Sequence, residues 1–137
     1  MTDNIFLDTN IIVYDFLDDD LKKHNAAQAF LSSLVNHKVY ISTQVLSEVY
    51  SALKKNGVSD SDTAYYVNYC IEKYNILPVT LNEITTCLAI RDKYNFSYWD
   101  CLILAAALNN GCGAVYSEDM QDGQSINGAL TIVNPLA

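Results

Sequence analysis

Short apolar runs along this chain alternate with longer segments in which apolar and polar residues mix at helical spacing. Each run is too short for a helix and is bounded by turn or capping residues, which is typical of a buried strand. The first predicted strand ends at Leu7, and the others cover residues 39–42, 76–79, 114–117 and 130–133. Pro78 places the predicted strand at 76–79 at a sheet edge or a strand end, since proline has no backbone N–H to donate to a central ladder.

The longer segments carry apolar residues three and four positions apart, which predicts amphipathic helices. Thr9 or Asn10 is expected to cap the first helix and Ser97 the last. The predicted helices cover residues 9–17, 21–35, 44–57, 60–74, 81–94 and 98–111. Helices that alternate with strands predict a three-layer α/β/α fold around a mostly parallel sheet of four to five strands.

The composition fits one domain spanning residues 1–137 with a substantial core, because half of the residues are hydrophobic. No apolar run is long enough to cross a bilayer, and no basic segment leads into an apolar one at the N-terminus. We therefore expect a cytoplasmic protein. The four cysteines lack C-x-x-C spacing, which favours small buried thiols in a reducing compartment over a metal site or a disulfide framework.

The formal net charge is −8, and taken alone this argues against a nucleic-acid binder, which normally has a basic face. The lysine pairs at residues 22–23 and 54–55 are interpreted as solvated helix surface rather than as phosphate contacts. Clustered acids would reverse the argument, because they bind divalent cations that in turn attract phosphate. Acidity elsewhere would suit a basic protein partner.

Two acids follow predicted strands. Asp8 comes directly after the first strand, where a carboxylate among core residues is costly to bury without a partner. Asp119 follows the strand at 114–117. The carboxyl ends of parallel strands lie at one edge of a sheet, so we expect both acids there. The alternative for Asp119 is an ordinary residue of a solvated turn.

Two further acids lie on predicted helices and face the same edge. Glu48 projects from the apolar stripe of its helix, three residues after Val45 and four before Ala52. Asp100 lies in the first turn of its helix, on the side of Leu104. Glu48 could instead lie at the margin of the stripe and extend into water. Asp100 could instead form a capping box with Ser97. We expect all four acids to converge.

Carboxylates that lie close together repel one another, which raises their pKa values unless a cation intervenes. Their oxygens favour Mg²⁺ or Mn²⁺, and such ions can activate water and stabilise the leaving oxygen in phosphodiester cleavage. No histidine or lysine stands near the four acids along the chain to act as a general base. The residues alone therefore predict a divalent-metal site whose chemistry suits phosphodiester cleavage.

Four segments of the chain resemble, in order, the acidic motifs of PIN domains, and most of all those of VapC-type toxin ribonucleases. They are FLDTNIIVY with Asp8, STQVLSEVYSAL with Glu48, SYWDCLILAAAL with Asp100 and YSEDMQDG with Asp119. The order and the flanking residues make the resemblance fairly specific, and it spans essentially the whole chain.

The resemblance implies an endoribonuclease that depends on Mg²⁺ or Mn²⁺, binds the metal through these four acids and leaves a 5′-phosphate on the cleaved RNA. It also implies a homodimer and an antitoxin partner that covers the site. Asn10 and Ser117 match polar positions that support the acids in the family. Asp122 lies where some members carry a further acid, and a solvent-facing role for it is equally open.

Two other functions stay open at this point. A phosphotransfer domain, phosphatase-like or receiver-like, also places an aspartate after a first parallel strand. Against it, Asn10 stands where the phosphatase needs a second acid, and no lysine lies near Asp119 in the sequence. The other alternative is a non-catalytic PIN-like interaction module, which would keep the fold without the chemistry.

Overall fold

The computed structural model describes residues 3–137, and within this range the chain forms six helices and six strands. In chain order the elements are β1 (Asp3–Leu7), α1 (Thr9–Phe16), α2 (Leu21–Ser32), β2 (His37–Ser42), α3 (Thr43–Lys55), α4 (Asp60–Lys73), β3 (Asn75–Leu77), α5 (Leu81–Lys93), α6 (Tyr98–Asn109), β4 (Ala114–Tyr116), β5 (Ser125–Ile126) and β6 (Leu130–Val133).

The strands form one sheet in the order β3-β2-β1-β4-β6-β5, and every neighbouring pair is parallel except β5 with β6. The chain moves outward from β1 to β3 and then crosses back to β4. Right-handed crossovers in these two directions put α1 to α4 on one face of the sheet and α5 with α6 on the other. The packing agrees, since α1 contacts α2 and α3, α3 contacts α4, and α5 contacts α6.

The central strand β1 is covered on both faces. Ile5, Phe6 and Leu7 are at most 3% exposed, and successive side chains of a strand point to opposite faces. The predicted three-layer α/β/α fold is therefore confirmed, with six strands rather than four to five. Pro78 directly follows β3, which is an edge strand as the proline predicted.

The additional strand, β5, makes a hairpin with β6 in which Ile126 pairs with Leu130. It is only two residues long, so it has no alternating pattern to detect. The turn does carry a signal, because Asn127 and Gly128 have φ values of 52° and 66°, and an Asn-Gly pair between apolar residues is typical of a tight hairpin.

Helix ends differ from the prediction at two places. The N-cap of α1 is Asp8 itself, and its side chain accepts from the Thr9 backbone N–H. The prediction of Thr9 or Asn10 was wrong because aspartate is as good a cap as either and comes first. Helix α2 ends at Ser32, three residues early, and β2 begins at His37 rather than at residue 39.

Helix α6 lies inside the core, since every residue from Cys101 to Ala107 is at most 5% exposed. All four cysteines are buried free thiols, as predicted. Burial raises the pKa of Cys70 to about 12 and that of Cys112 to about 11, so these thiols are unreactive. Among residues 3–137, none of the helices has the length and apolar character needed to cross a bilayer.

Candidate active site

The candidate site lies where the direction of the strand order reverses, between β1 and β4. The two strands are parallel neighbours, with Leu7 opposite Tyr116, and the Asp8 backbone N–H donates to the Tyr116 carbonyl at 2.9 Å. The residues just after the strands, Asp8 and Ser117, therefore emerge side by side. In open α/β sheets this position is where ligands bind.

Asp8 is 5% exposed and is hydrogen-bonded at both carboxylate oxygens. Oδ1 accepts from the Thr9 backbone N–H at 2.7 Å, and Oδ2 accepts from the Ser117 hydroxyl at 2.8 Å. Burial raises the pKa of Asp8 to about 6, with smaller additions from Asp100 and Glu48, although the two hydrogen bonds act in the opposite direction. The ionised carboxylate is therefore destabilised, and a cation beside it would relieve that cost.

Glu48, half-buried on α3, is held by two neutral donors. The Thr9 hydroxyl donates to Oε1 at 2.7 Å, and Gln44 Nε2 donates to Oε2 at 3.1 Å. Gln44 Nε2 also donates to the Trp99 carbonyl at 3.1 Å, which ties α3 to the start of α6. Sequence reasoning missed Thr9 and Gln44 as supporting residues. Gln44 did carry a signal, because it lies one helical turn before Glu48.

Asp100 lies in the first turn of α6, whose N-cap Ser97 accepts from the Asp100 backbone N–H at 3.1 Å. Burial raises the pKa of Asp100, with Asp119 and Glu48 adding to the rise and the Ser97 side chain opposing it. Asp100 thus both belongs to the helix cap and faces the other acids. Because α6 covers the opposite face of the sheet from α3, the site draws on both helical layers.

Asp119 is exposed in the loop after β4. Its Oδ2 accepts from Asn10 Nδ2 at 2.5 Å, and its backbone N–H donates to the Ser117 hydroxyl at 3.2 Å. Partial burial raises the pKa of its carboxyl group, with Glu118 adding and Lys23 opposing. The predicted supporting residues Asn10 and Ser117 are thus placed against the acids.

Asp122 does not join this group in the structure. It is exposed, and its carboxylate accepts from the Asn134 backbone N–H at 2.8 Å. It contributes to none of the pKa shifts of Asp8, Asp100 and Asp119. Its contact fastens the loop after β4 to the end of β6, so the side chain has a structural role here.

A divalent cation fits the chemistry of the four carboxylates, because hard oxygen ligands suit Mg²⁺ and Mn²⁺ and the neighbours of Asp8 and Asp100 are neutral donors and other acids. Within residues 3–137, no three acidic, histidine or cysteine side chains already stand close enough to hold a metal ion. Instead the carboxylates are turned toward neutral hydrogen-bond donors. Binding a cation would therefore need the carboxylates to come closer together than they stand here.

A lysine does lie beside the site, contrary to the expectation from sequence. Lys23 Nζ is 2.8 Å from Glu118 Oε2, and the Tyr14 hydroxyl donates to Glu118 Oε1 at 2.6 Å. The hydrogen bond to Glu118 raises the pKa of Lys23, so Lys23 stays protonated and is unsuited to act as a base. These three residues join α1, α2 and the loop after β4. No local pattern predicts contacts between such distant segments.

The second lysine pair also has one member with an acidic partner. Lys54 Nζ donates to Asp60 at 2.5 Å and to the Val58 carbonyl at 3.2 Å. Lys55 and Lys22 are exposed. The interpretation as solvated helix surface therefore agrees with the structure for Lys22 and Lys55, whereas Lys23 and Lys54 form ion pairs with acids.

Comparison with known proteins gives one family and a consistent set of structures. The PIN domain family model matches residues 5–121. No curated protein sequence matches the chain.

Three solved structures have closely similar folds. VapC20 of Mycobacterium tuberculosis, described as a sarcin-ricin loop cleaving toxin, is 20% identical over 84% of this chain and 89% of that one, with a TM-score of 0.71. A toxin-antitoxin complex from Klebsiella pneumoniae is 21% identical over 96% of this chain and 97% of that one, with a TM-score of 0.72. VapBC2 from Rickettsia felis, bound to a promoter DNA fragment, is 16% identical over 96% of this chain and 99% of that one, with a TM-score of 0.67. These likenesses show a shared fold.

Proposed function

This chain belongs to the PIN domain family, and on that premise we propose that it is a divalent-metal-dependent endoribonuclease. The observation that carries the proposal is the placement of Asp8, Glu48, Asp100 and Asp119. They come from four different elements, lie at one edge of the sheet, and three of them have pKa values raised by burial and by other acids. Acids that serve only a structural role would have their charge satisfied by cations or hydrogen-bond donors, and their pKa values would not be raised.

We assign the metal-binding role to these four carboxylates and take Mg²⁺ or Mn²⁺ as the cofactor. When bound, the cation would supply Lewis acidity, activating water and stabilising negative charge on the phosphate. The neutral donors around the carboxylates set their orientation without cancelling their charge. Ser117 does so for Asp8, Thr9 and Gln44 for Glu48, and Asn10 for Asp119.

The substrate in this proposal is RNA. Support comes from the family and from VapC20, whose description names the sarcin-ricin loop. With a net charge of −8, the surface gives little general attraction for phosphate, so bound cations would have to supply much of it. Affinity for RNA should then depend on the divalent cation as well as on salt.

We further propose that residues 1–137 form one cytoplasmic nuclease domain that acts as the toxin of a toxin-antitoxin pair and assembles as a homodimer. The Klebsiella pneumoniae neighbour is a toxin-antitoxin complex, which supports an antitoxin as the partner. The acidic surface suits a basic partner. Co-expression with the product of a neighbouring reading frame, followed by RNase assay of the complex, tests this part.

The experiment is RNA cleavage by purified protein free of any antitoxin. We expect Mg²⁺ or Mn²⁺ to support cleavage that leaves 5′-phosphate ends, and a chelator to stop it. Asp8→Asn and Glu48→Gln should abolish cleavage while circular dichroism shows an unchanged fold. Asp122→Asn is the matched control and should retain activity. Cleavage that survives both site substitutions would refute the ligand assignment, and an inactive wild type would favour a non-catalytic module.

Phosphotransfer is a second candidate because the structure brings Lys23 close to Asp119, as that chemistry requires. The position of Asn10 still lacks the second acid, and Lys23 is held by Glu118. Mg²⁺-dependent labelling of Asp8 by a small phosphodonor such as acetyl phosphate would support this candidate. Absence of labelling together with RNA cleavage would support the nuclease.

A further inference from the structure

An open cleft adjoins the candidate site on the side of Glu48. Its volume is about 340 Å³, and it is lined by Gln44, Ser47, Glu48, Ser51 and Trp99. The Trp99 side chain is 61% exposed although it directly precedes Asp100. An indole on the surface is costly to leave in water and is well suited to cover a flat ligand.

The Gln44 amide holds the wall of this cleft in place. Its Nε2 donates to two acceptors, Glu48 Oε2 and the Trp99 carbonyl. These two bonds fix the start of α6, and with it Trp99, against α3. Gln44 Oε1 is buried, so the indole is the group that this cleft offers to a ligand.

We infer that this cleft binds one unpaired nucleobase of the RNA, next to the phosphate that is cleaved. The base would stack on the exposed Trp99 indole. This inference rests on the proposed nuclease function. Single-stranded RNA is recognised by such stacking, and a base in a duplex could not reach the indole.

The lining favours a base over a protein partner. Most of the cleft surface is apolar, but Trp99 is the one large apolar side chain among the five residues that line it. A protein contact built on an exposed tryptophan normally buries it among other apolar side chains. The Tyr98 ring, 5.0 Å away at 89°, holds the indole edge-to-face and so limits its motion.

Trp99 is the single tryptophan of the chain, so fluorescence excited at wavelengths that the tyrosines do not absorb reports on this cleft alone. The test titrates the Asp8→Asn variant, which does not cleave, with short single-stranded oligoadenylate and oligouridylate, and with an abasic ribose-phosphate oligomer of the same length. Strong quenching by the first two and little by the abasic oligomer is the expected result. Equal quenching by all three, or none by any, would overturn the inference.

Cleavage kinetics give a second measurement on the wild-type background. Trp99→Ala should lower kcat/KM for single-stranded RNA roughly ten- to a hundredfold, and Trp99→Phe should restore most of it. Tyr65→Ala removes an aromatic ring of similar exposure, 67%, on α4 and should change little. Unaltered cleavage by Trp99→Ala would contradict the inference, and loss of antitoxin binding instead would make Trp99 a protein contact.

The two proposals fail in distinguishable ways. If the wild type does not cleave RNA but Trp99 is quenched by base-bearing oligomers alone, the nuclease function fails and the cleft remains a base-binding site. If the wild type cleaves and neither the quenching nor the kinetic effect is seen, the nuclease function stands and the cleft is wrongly assigned.

Discussion

Asp8 and Glu83 expose the same small fraction of their surface, 5% each, yet the pKa values of their carboxyl groups are shifted in opposite directions. The pKa of Asp8 rises to about 6, whereas that of Glu83 falls to about 2. Glu83 accepts from the Thr80 hydroxyl at 2.5 Å, the Thr80 backbone N–H at 2.9 Å and Asn109 Nδ2 at 3.0 Å. The carboxyl of Glu83 lies nearer the surface than that of Asp8. The donors therefore lower its pKa by more than desolvation raises it.

The comparison separates a structural acid from a functional one. Glu83 completes the capping box of α5, and its charge is satisfied where it stands. Asp8 also has two donors, but deeper burial and the nearby Asp100 and Glu48 leave its charge unsatisfied. Removing Glu83 should therefore lower the stability of the fold and leave RNA cleavage intact. Removing the charge of Asp8 should abolish cleavage and leave the stability intact.

The largest expected effect is that of Asp8→Asn on RNA cleavage. We predict a loss of at least about 10³-fold in kcat/KM, which is ~4 kcal/mol of transition-state stabilisation. The fold should persist, because asparagine is as good an N-cap as aspartate, and the melting temperature without metal should be unchanged or higher because a repelled charge is gone. A clear loss of metal-free stability would instead make Asp8 a structural residue like Glu83.

Ser117→Ala should have the next largest effect. The hydroxyl donates to Asp8 Oδ2 and accepts from the Asp119 and Met120 backbone N–H groups, so its loss frees the orientation of two acids. We expect cleavage to fall about 10- to 100-fold, the usual cost of losing a group that orients a ligand. Activity equal to wild type would mean that the carboxylates are oriented without it.

Much of this site follows from local patterns, and the remainder depends on tertiary packing. Asp8 and Asp119 are recognisable because each follows a strand, and Glu48 because it interrupts an apolar stripe. The contacts of Tyr14 and Lys23 with Glu118 join residues about a hundred positions apart, and no short-range rule reports them. The strand β5 was missed for a different reason, since two residues cannot show a period.

Glu83→Ala should reduce the free energy of unfolding by about 1–2 kcal/mol, the range for a lost capping box with its buried donors left unpaired. RNA cleavage at moderate temperature should be unchanged. Because the folded pKa of about 2 lies below the ordinary value of 4.5, this stabilisation is complete above about pH 4.5 and is lost as the pH falls toward 2. Urea unfolding of both proteins across that range measures it, and a difference that is independent of pH would contradict the assignment.

The smallest effect is the stabilisation of the wild type by Mg²⁺ or Mn²⁺. A metal at ten times its Kd should add about 1.4 kcal/mol and raise the melting temperature by a few degrees. Asp8→Asn should show a smaller shift, whereas Glu83→Ala should shift as much as the wild type. An equal shift in all three proteins would place the metal away from Asp8.

The most direct test of the shared carboxylate site is a crystal structure grown with Mn²⁺ and phased for its anomalous signal. We predict an anomalous peak bonded to carboxylate oxygens of Asp8 and of at least one of Glu48, Asp100 and Asp119. No peak at these residues under Mn²⁺ concentrations that support RNA cleavage would contradict it.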